Sequence, residues 1–75
     1  MKLVKIKWYD ANMMHGWQSD SLDCELAICE EVGWILSENE STVLIVRGIS
    51  NHGFHNSPMA IPKGCIIETK ELRVK

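Results

Sequence analysis

Three cysteines, Cys24, Cys29 and Cys65, and three histidines, His15, His52 and His55, are the side chains of this chain best suited to metal binding or nucleophilic chemistry. Four of them would complete a tetrahedral zinc site, but such sites draw their ligands in close pairs from short turns. Here Cys24 and Cys29 are five positions apart, Cys65 stands alone, and only His52 and His55 form a local pair. The spacing reads as buried thiols and exposed loop imidazoles, with no metal ligand and no cofactor. A thiol hydrolase would need a cysteine, a base and an orienting group within hydrogen-bond reach, inside a pocket that excludes water. A chain of 75 residues has few walls for such a pocket. It also has no Gly-rich phosphate loop, nucleophile elbow or paired-metal motif. Glu30 with Glu31, and Glu38 with Glu40, are the carboxylate pairs available for acid–base work, and their places at a strand start and a turn read as solvated charge. No catalytic residue is assigned, and a metal- or thiol-dependent enzyme is the least favoured reading.

The aromatic residues point elsewhere. Trp8 and Trp34 fall on apolar phases of strand-like stretches and are expected in the core. Tyr9, Trp17 and Phe54 fall off that pattern, and exposed aromatic side chains give an interface large, rigid contact area at small entropic cost. These three are the candidate binding residues. Trp17 has a second reading, as a cap over an open end of the fold.

The elements that would hold these residues are short and extended. Leu3 to Asp10 alternates, with Val4, Ile6 and Trp8 on one face and Lys5, Lys7 and Tyr9 on the other. Charges on the wet face of such a strand commonly protect a sheet edge. Ala11 to Asp23 reads as a long loop. Leu22 to Cys29 is open between a turn of helix capped by Ser21 or Asp23 and a short strand at Leu26 to Cys29. Val32 to Leu36 reads as a strand with Val32, Trp34 and Leu36 on one face, Gly33 and Ile35 on the other, and Gly33 marking a bend. After the turn material Asn39-Glu40-Ser41, Thr42 to Ile49 is a second strand of this hairpin, and Ser50 to Ser57 is turn-forming throughout. Pro58 to Ile61 and Cys65 to Leu72 are the last two strands. Between them Pro62-Lys63-Gly64 forces a tight turn, because proline donates no amide proton and glycine relaxes the limits on φ.

Ten acidic against eight basic residues leave a net charge of −2, without the cationic excess that draws proteins to phosphate backbones. A nucleic-acid-binding barrel, with loop aromatics stacking on bases and Lys2, Lys5, Lys7, Arg47, Lys63 and Arg73 meeting phosphates, is therefore the second reading. No apolar run approaches the roughly 18 residues of a membrane span. An odd cysteine count and a charged N-terminal stretch lead to the expectation of a cytoplasmic protein.

Strand, long loop, hairpin, short strand, tight turn and final strand is an order that resembles the small Src-homology-3-like and Sm-like barrels. In them, Ile61-Pro62-Lys63-Gly64-Cys65-Ile66 matches the single 3₁₀ turn between the fourth and fifth strands. The signposts Trp8-Tyr9-Asp10-Ala11, Gly16-Trp17, Val32-Gly33-Trp34 and Ile61 to Ile66 are also similar to small uncharacterised proteins of bacterial and bacteriophage genomes. The resemblance implies an all-β fold, with at most one short helix, rolled as a five-stranded barrel over residues 1–75 as one domain. It also implies a setting in a phage or prophage. Src-homology-3-like barrels bind extended peptides on loop aromatics. Sm-like barrels pair the fourth strand of one copy with the fifth of the next, for which Met59-Ala60-Ile61 and Ile66-Ile67 are the matching segments. The expected function is a non-catalytic interaction or assembly module, with a protein partner or a second copy bound.

Overall fold

The computed structural model describes residues 1–11 and 26–73. Their chain is extended almost throughout: β1 (Leu3–Asp10), β2 (Ala27–Glu38), β3 (Thr42–Val46), β4 (Gly48–Ile49), β5 (His55–Asn56), β6 (Met59–Pro62), a 3₁₀ turn at Lys63–Cys65, and β7 (Ile66–Glu71). Five strands form one antiparallel sheet in the order β6-β3-β2-β1-β7, and β4 pairs with β5. The fold is all-β among the described residues. Ala27 to Cys29 is strand, which overturns the helical alternative there; Leu22 to Asp23, Cys24, His15 and Trp17 lie outside the described residues.

Alternation in β1 has its expected result. Val4, Ile6 and Trp8 are buried, and with Val43, Ile45 and Ile61 they make the core, against which Cys29, Ile35, Met59 and Ile66 pack. β2 runs longer than Val32–Leu36, and its phase is the reverse of the expected one. Gly33 pairs with Val4 and Cys29 with Trp8, so Gly33, Ile35 and Cys29 share the core face. Val32 is 51% exposed, Leu36 is exposed, and Trp34 is only half-buried on the opposite face. The cause is a close crossing: a Cβ placed on Gly33 would lie 2.6 Å from the Val46 carbonyl oxygen, so only glycine fits where β2 meets β3. The irregularity expected at Gly33 occurs instead as a register shift between Ile35 and Ser37.

Thr42 to Ile49 is divided at Arg47, and the segment expected to be loop, Ser50 to Ser57, contributes β5. The pairing of Gly48 with Asn56 and Ile49 with His55 continues the register of Ile45 with Met59, so β3–β4 and β5–β6 form one interrupted ribbon. The interruption falls where Pro58 has no amide to donate and Ser57 takes φ 51°. The tip is a tight loop: Gly53 at φ 82° donates to the Ser50 carbonyl, and Ser50 Oγ accepts from the amides of His52 and Phe54.

The β2–β3 turn is closed by the Asn39 backbone amide, which donates to the Thr42 carbonyl at 3.0 Å, and by the side chain of the same residue. Asn39 Oδ1 accepts from the amides of Ser41 (2.9 Å) and Thr42 (2.8 Å), tying the backbone into an Asx turn. Asn39→Ala leaves both amides to water and is expected to cost about 1 kcal/mol, read as a lower midpoint in urea at unchanged m-value.

Lys63–Cys65 is the 3₁₀ turn expected from the sequence. Pro62 enters it at φ −61° and the Ile66 amide closes it on the Lys63 carbonyl. Gly64 has no positive φ and only open space around its Cβ position, so the turn relies on Pro62 and not on glycine. Gly64→Ala is therefore expected to stabilise the fold by about 0.4–1 kcal/mol through the unfolded chain, visible as a higher melting temperature.

This turn also dictates the shape of the sheet. Three residues of 3₁₀ helix advance about 6 Å, whereas the outermost strands of a flat five-stranded sheet lie about 19 Å apart. Since β6 and β7 are those outermost strands, the sheet must curl to bring Pro62 near Ile66, and the turn packs against β1. No ladder joins β6 to β7 among the described residues, so the curled sheet is not closed into a barrel.

Candidate functional site

Each strand shows alternate side chains to the two faces, so the β1–β2 register decides what the outer face presents. Directly opposite pairs on that face are Tyr9 with Ile28, Lys7 with Glu30, Lys5 with Val32 and Leu3 with Trp34. Lys5 Nζ is 3.4 Å from Glu30. Tyr9 (44%), Ile28 (57%) and Val32 (51%) are exposed, and Leu26 just before β2 is exposed too. The result is an apolar surface crossed by a Lys–Glu pair and built on hydrogen-bonded backbone, so its side chains are held at fixed spacing.

Phe54, the most exposed large apolar residue described at 75%, stands on the β4–β5 tip. Beside it an open groove of about 390 Å³ is lined by Gly48, Ile49, Ser50, Phe54, His55 and Asn56. Because β2 is antiparallel to both β1 and β3, the Tyr9–Ile28 end of β1–β2 and the end of β3 that leads into β4 and the Phe54 tip leave the sheet at the same end. An ion pair between Arg47 and Glu31 ties the two arms at their base. Tyr9 and Phe54 thus occupy separate arms that point the same way, while Trp17 lies outside the described residues.

The chemistry-bearing residues are dispersed. Cys29 is half-buried on the core face of β2, Cys65 is half-buried in the 3₁₀ turn, and His52 and His55 lie in and beside the β4–β5 tip. Among the described residues no three His, Cys, Asp or Glu side chains gather at one point. Glu30 and Glu31 do not act together. Glu30 faces outward to Lys5, Glu31 turns to the core face and binds Arg47, and Glu38 approaches Lys63 at 4.0 Å. Three of the six cations that were candidates for phosphate contact, Lys5, Arg47 and Lys63, are therefore matched with carboxylates of their own chain.

Ile28, Val32 and Leu26 were not among the sequence candidates. The signal that could have found them is their parity with Tyr9 across a β1–β2 pairing, which needs the register and not the β2 sequence alone. No helix among the described residues is long and apolar enough to cross a membrane. A scan against family models finds no match, and neither the curated proteins nor the solved structures give one. Fold and surface together define a small, curled antiparallel sheet whose outer face sets exposed apolar side chains among lysines and glutamates.

Proposed function

We propose that this protein is a non-catalytic interaction or assembly module that binds a protein through the outer face of β1–β2 and the Phe54 tip. The observation that carries this reading is the exposed set Tyr9, Ile28 and Val32 on rigid, paired strands. Apolar and aromatic surface of this kind is stabilised by covering it, and its fixed backbone loses little entropy when a partner does so. The finer architecture we infer is an open form of the Src-homology-3-like or Sm-like barrel. It is supported by the strand order, in which the last strand lies beside the first, and by the single 3₁₀ turn before it. The likeness of the signpost segments to small bacterial and bacteriophage proteins supports a phage or prophage setting, and the cysteine usage supports a cytoplasmic one.

A photoreactive residue placed at Ile28 or Phe54 tests the reading in cells that express the protein. The expected result is a discrete protein adduct from both positions, absent when the label is moved to Glu40 and weakened by Tyr9→Ala. Retention of a labelled oligonucleotide at low salt, lost on adding salt, with no protein adduct, would favour nucleic acid instead.

A further inference from the structure

We propose that the outer edge of β7 is a self-pairing site, where two copies of this chain join β7 to β7 antiparallel about a twofold axis at Thr69. This deepens the assembly reading and rests on it, but it uses a different surface from the apolar face.

The sheet has two edges, and their backbones differ. In an antiparallel ladder the residues facing the partner strand alternate with residues facing away. The Lys63 amide donates to the Ser41 carbonyl, so by alternation Ile61 and Met59 face β3, while Pro58, Ala60 and Pro62 face outward. Two of those three have no amide proton, which leaves Ala60 as the single outward donor of β6. Prolines at outward positions are how an edge is closed to a further strand. Met59-Ala60-Ile61 is thus a poor template, and the Sm-type pairing of β6 with β7 of the next copy is disfavoured.

β7 has the opposite character. The Leu72 amide donates to the Leu3 carbonyl, so Lys70 and Glu68 face β1 while Glu71 and Thr69 turn their amides and carbonyls outward. No proline or glycine interrupts Ile66–Glu71, the ladder with β1 is regular from Glu68 to Glu71 with its one shift at Ile67, and no strand among the described residues pairs with that outer edge.

The side chains select the occupant and the register. Antiparallel pairing centred on Thr69 sets Thr69 against Thr69 and each Glu68 against the Lys70 of the other copy. These are favourable cross-strand pairs. The Glu68–Lys70 pairs fall at the non-hydrogen-bonded positions, where side chains approach most closely. Shifting one copy to the neighbouring registers places Glu68 against Glu68 or Lys70 against Lys70, and centring on Glu71 sets Glu71 against Glu71. Of the registers centred between Glu68 and Glu71, where the β1–β7 ladder is regular, the Thr69-centred one alone avoids like charges; centring on Ile67 would place the axis at the register shift between Glu68 and Ile66. The Thr69-centred register also places a carboxylate beside Lys70, which within its own chain lies directly opposite Lys5. A segment complementary to itself in one register fits a second copy of the same chain and an isologous dimer.

Sedimentation of the full chain, with Glu68→Lys, Lys70→Glu and the double variant, tests this. The wild type is expected to sediment at twice the 8.5 kDa chain mass at high concentration. Each single reversal should weaken dimerisation at least tenfold, and the double reversal should restore it. Amide exchange of the wild type reads the same contact without mutation: protection at Thr69 and Glu71 should rise with protein concentration while that of Leu72 stays constant. A wild type that stays monomeric, single reversals that dimerise as the wild type does, or Thr69 protection independent of concentration would each overturn the proposal. A monomer that still gives protein adducts from Ile28 would overturn the self-pairing alone and leave the contact reading standing.

Discussion

Ile6→Ala is expected to cost about 2–5 kcal/mol, the usual range for emptying a buried isoleucine site, and to leave much of the protein unfolded at 37 °C. Ile6 is fully buried at the centre of β1, which is itself flanked by β2 and β7 in the sheet. The cavity left by its side chain opens between strands fixed by their ladders, so it cannot collapse cheaply. A domain of this length has a total stability of only about 4–11 kcal/mol at typical per-residue values, so one truncation removes a large share. Lys7→Ala, one position away on the outer face, is the control and is expected to change stability by less than about 0.5 kcal/mol. Urea denaturation of the two variants checks the alternation of β1 directly: similar losses would mean that the core face is misassigned.

Gly33→Ala is the second large effect, and it arises from backbone rather than from a cavity. The added methyl would meet the Val46 carbonyl at 2.6 Å, and a carbonyl within a sheet cannot rotate away as a flexible side chain can. Either β2 and β3 separate or the strands shift, with a cost of about 1–3 kcal/mol of the kind seen on overpacking. For a domain this small that corresponds to a fall of roughly 5–20 °C in melting temperature. Gly64→Ala is the same chemical change with the opposite expected sign, because its Cβ would enter open space. Measuring both separates tertiary crowding from the general effect of glycine on the unfolded chain.

These variants also mark what the sequence could and could not reveal. The core phase of β1 was legible because Val4, Ile6 and Trp8 alternate with charged and polar residues. The 3₁₀ turn was legible because Pro62 constrains the chain locally, and the β2–β3 turn because Asn39 organises its own backbone. The face of β2 was not legible. Val32, Trp34, Ile35 and Leu36 give apolar residues of both parities, and the choice between them is made by the approach of Val46, thirteen residues beyond Gly33. For the same reason the apolar patch was only partly seen. Tyr9 breaks the phase of its own strand and so announces itself, whereas Ile28 is assigned outward only through its pairing with Tyr9. The adjacent Glu30 and Glu31 hid the start of β2, since two neighbouring carboxylates suggest a solvated turn. In the structure they point to opposite faces, each toward a different cation. The edge chemistry of β6 and β7 is written in Pro58, Pro62 and the alternating charges of Glu68 and Lys70, but it has meaning only once those strands are known to be the sheet edges.

Everything proposed for the surface follows from the β1 registers, because a one-residue slip would exchange the core and display faces. Cross-strand Hα–Hα contacts by NMR report those registers most directly, since Hα atoms approach closely only at non-hydrogen-bonded pairs. Contacts between Tyr9 and Ile28, Lys5 and Val32, and Ile6 and Thr69 are the result required here. Contacts displaced by one residue, which would place Tyr9 and Ile28 on opposite faces and turn the Thr69 amide away from the free edge, would contradict both the binding face and the self-pairing strand.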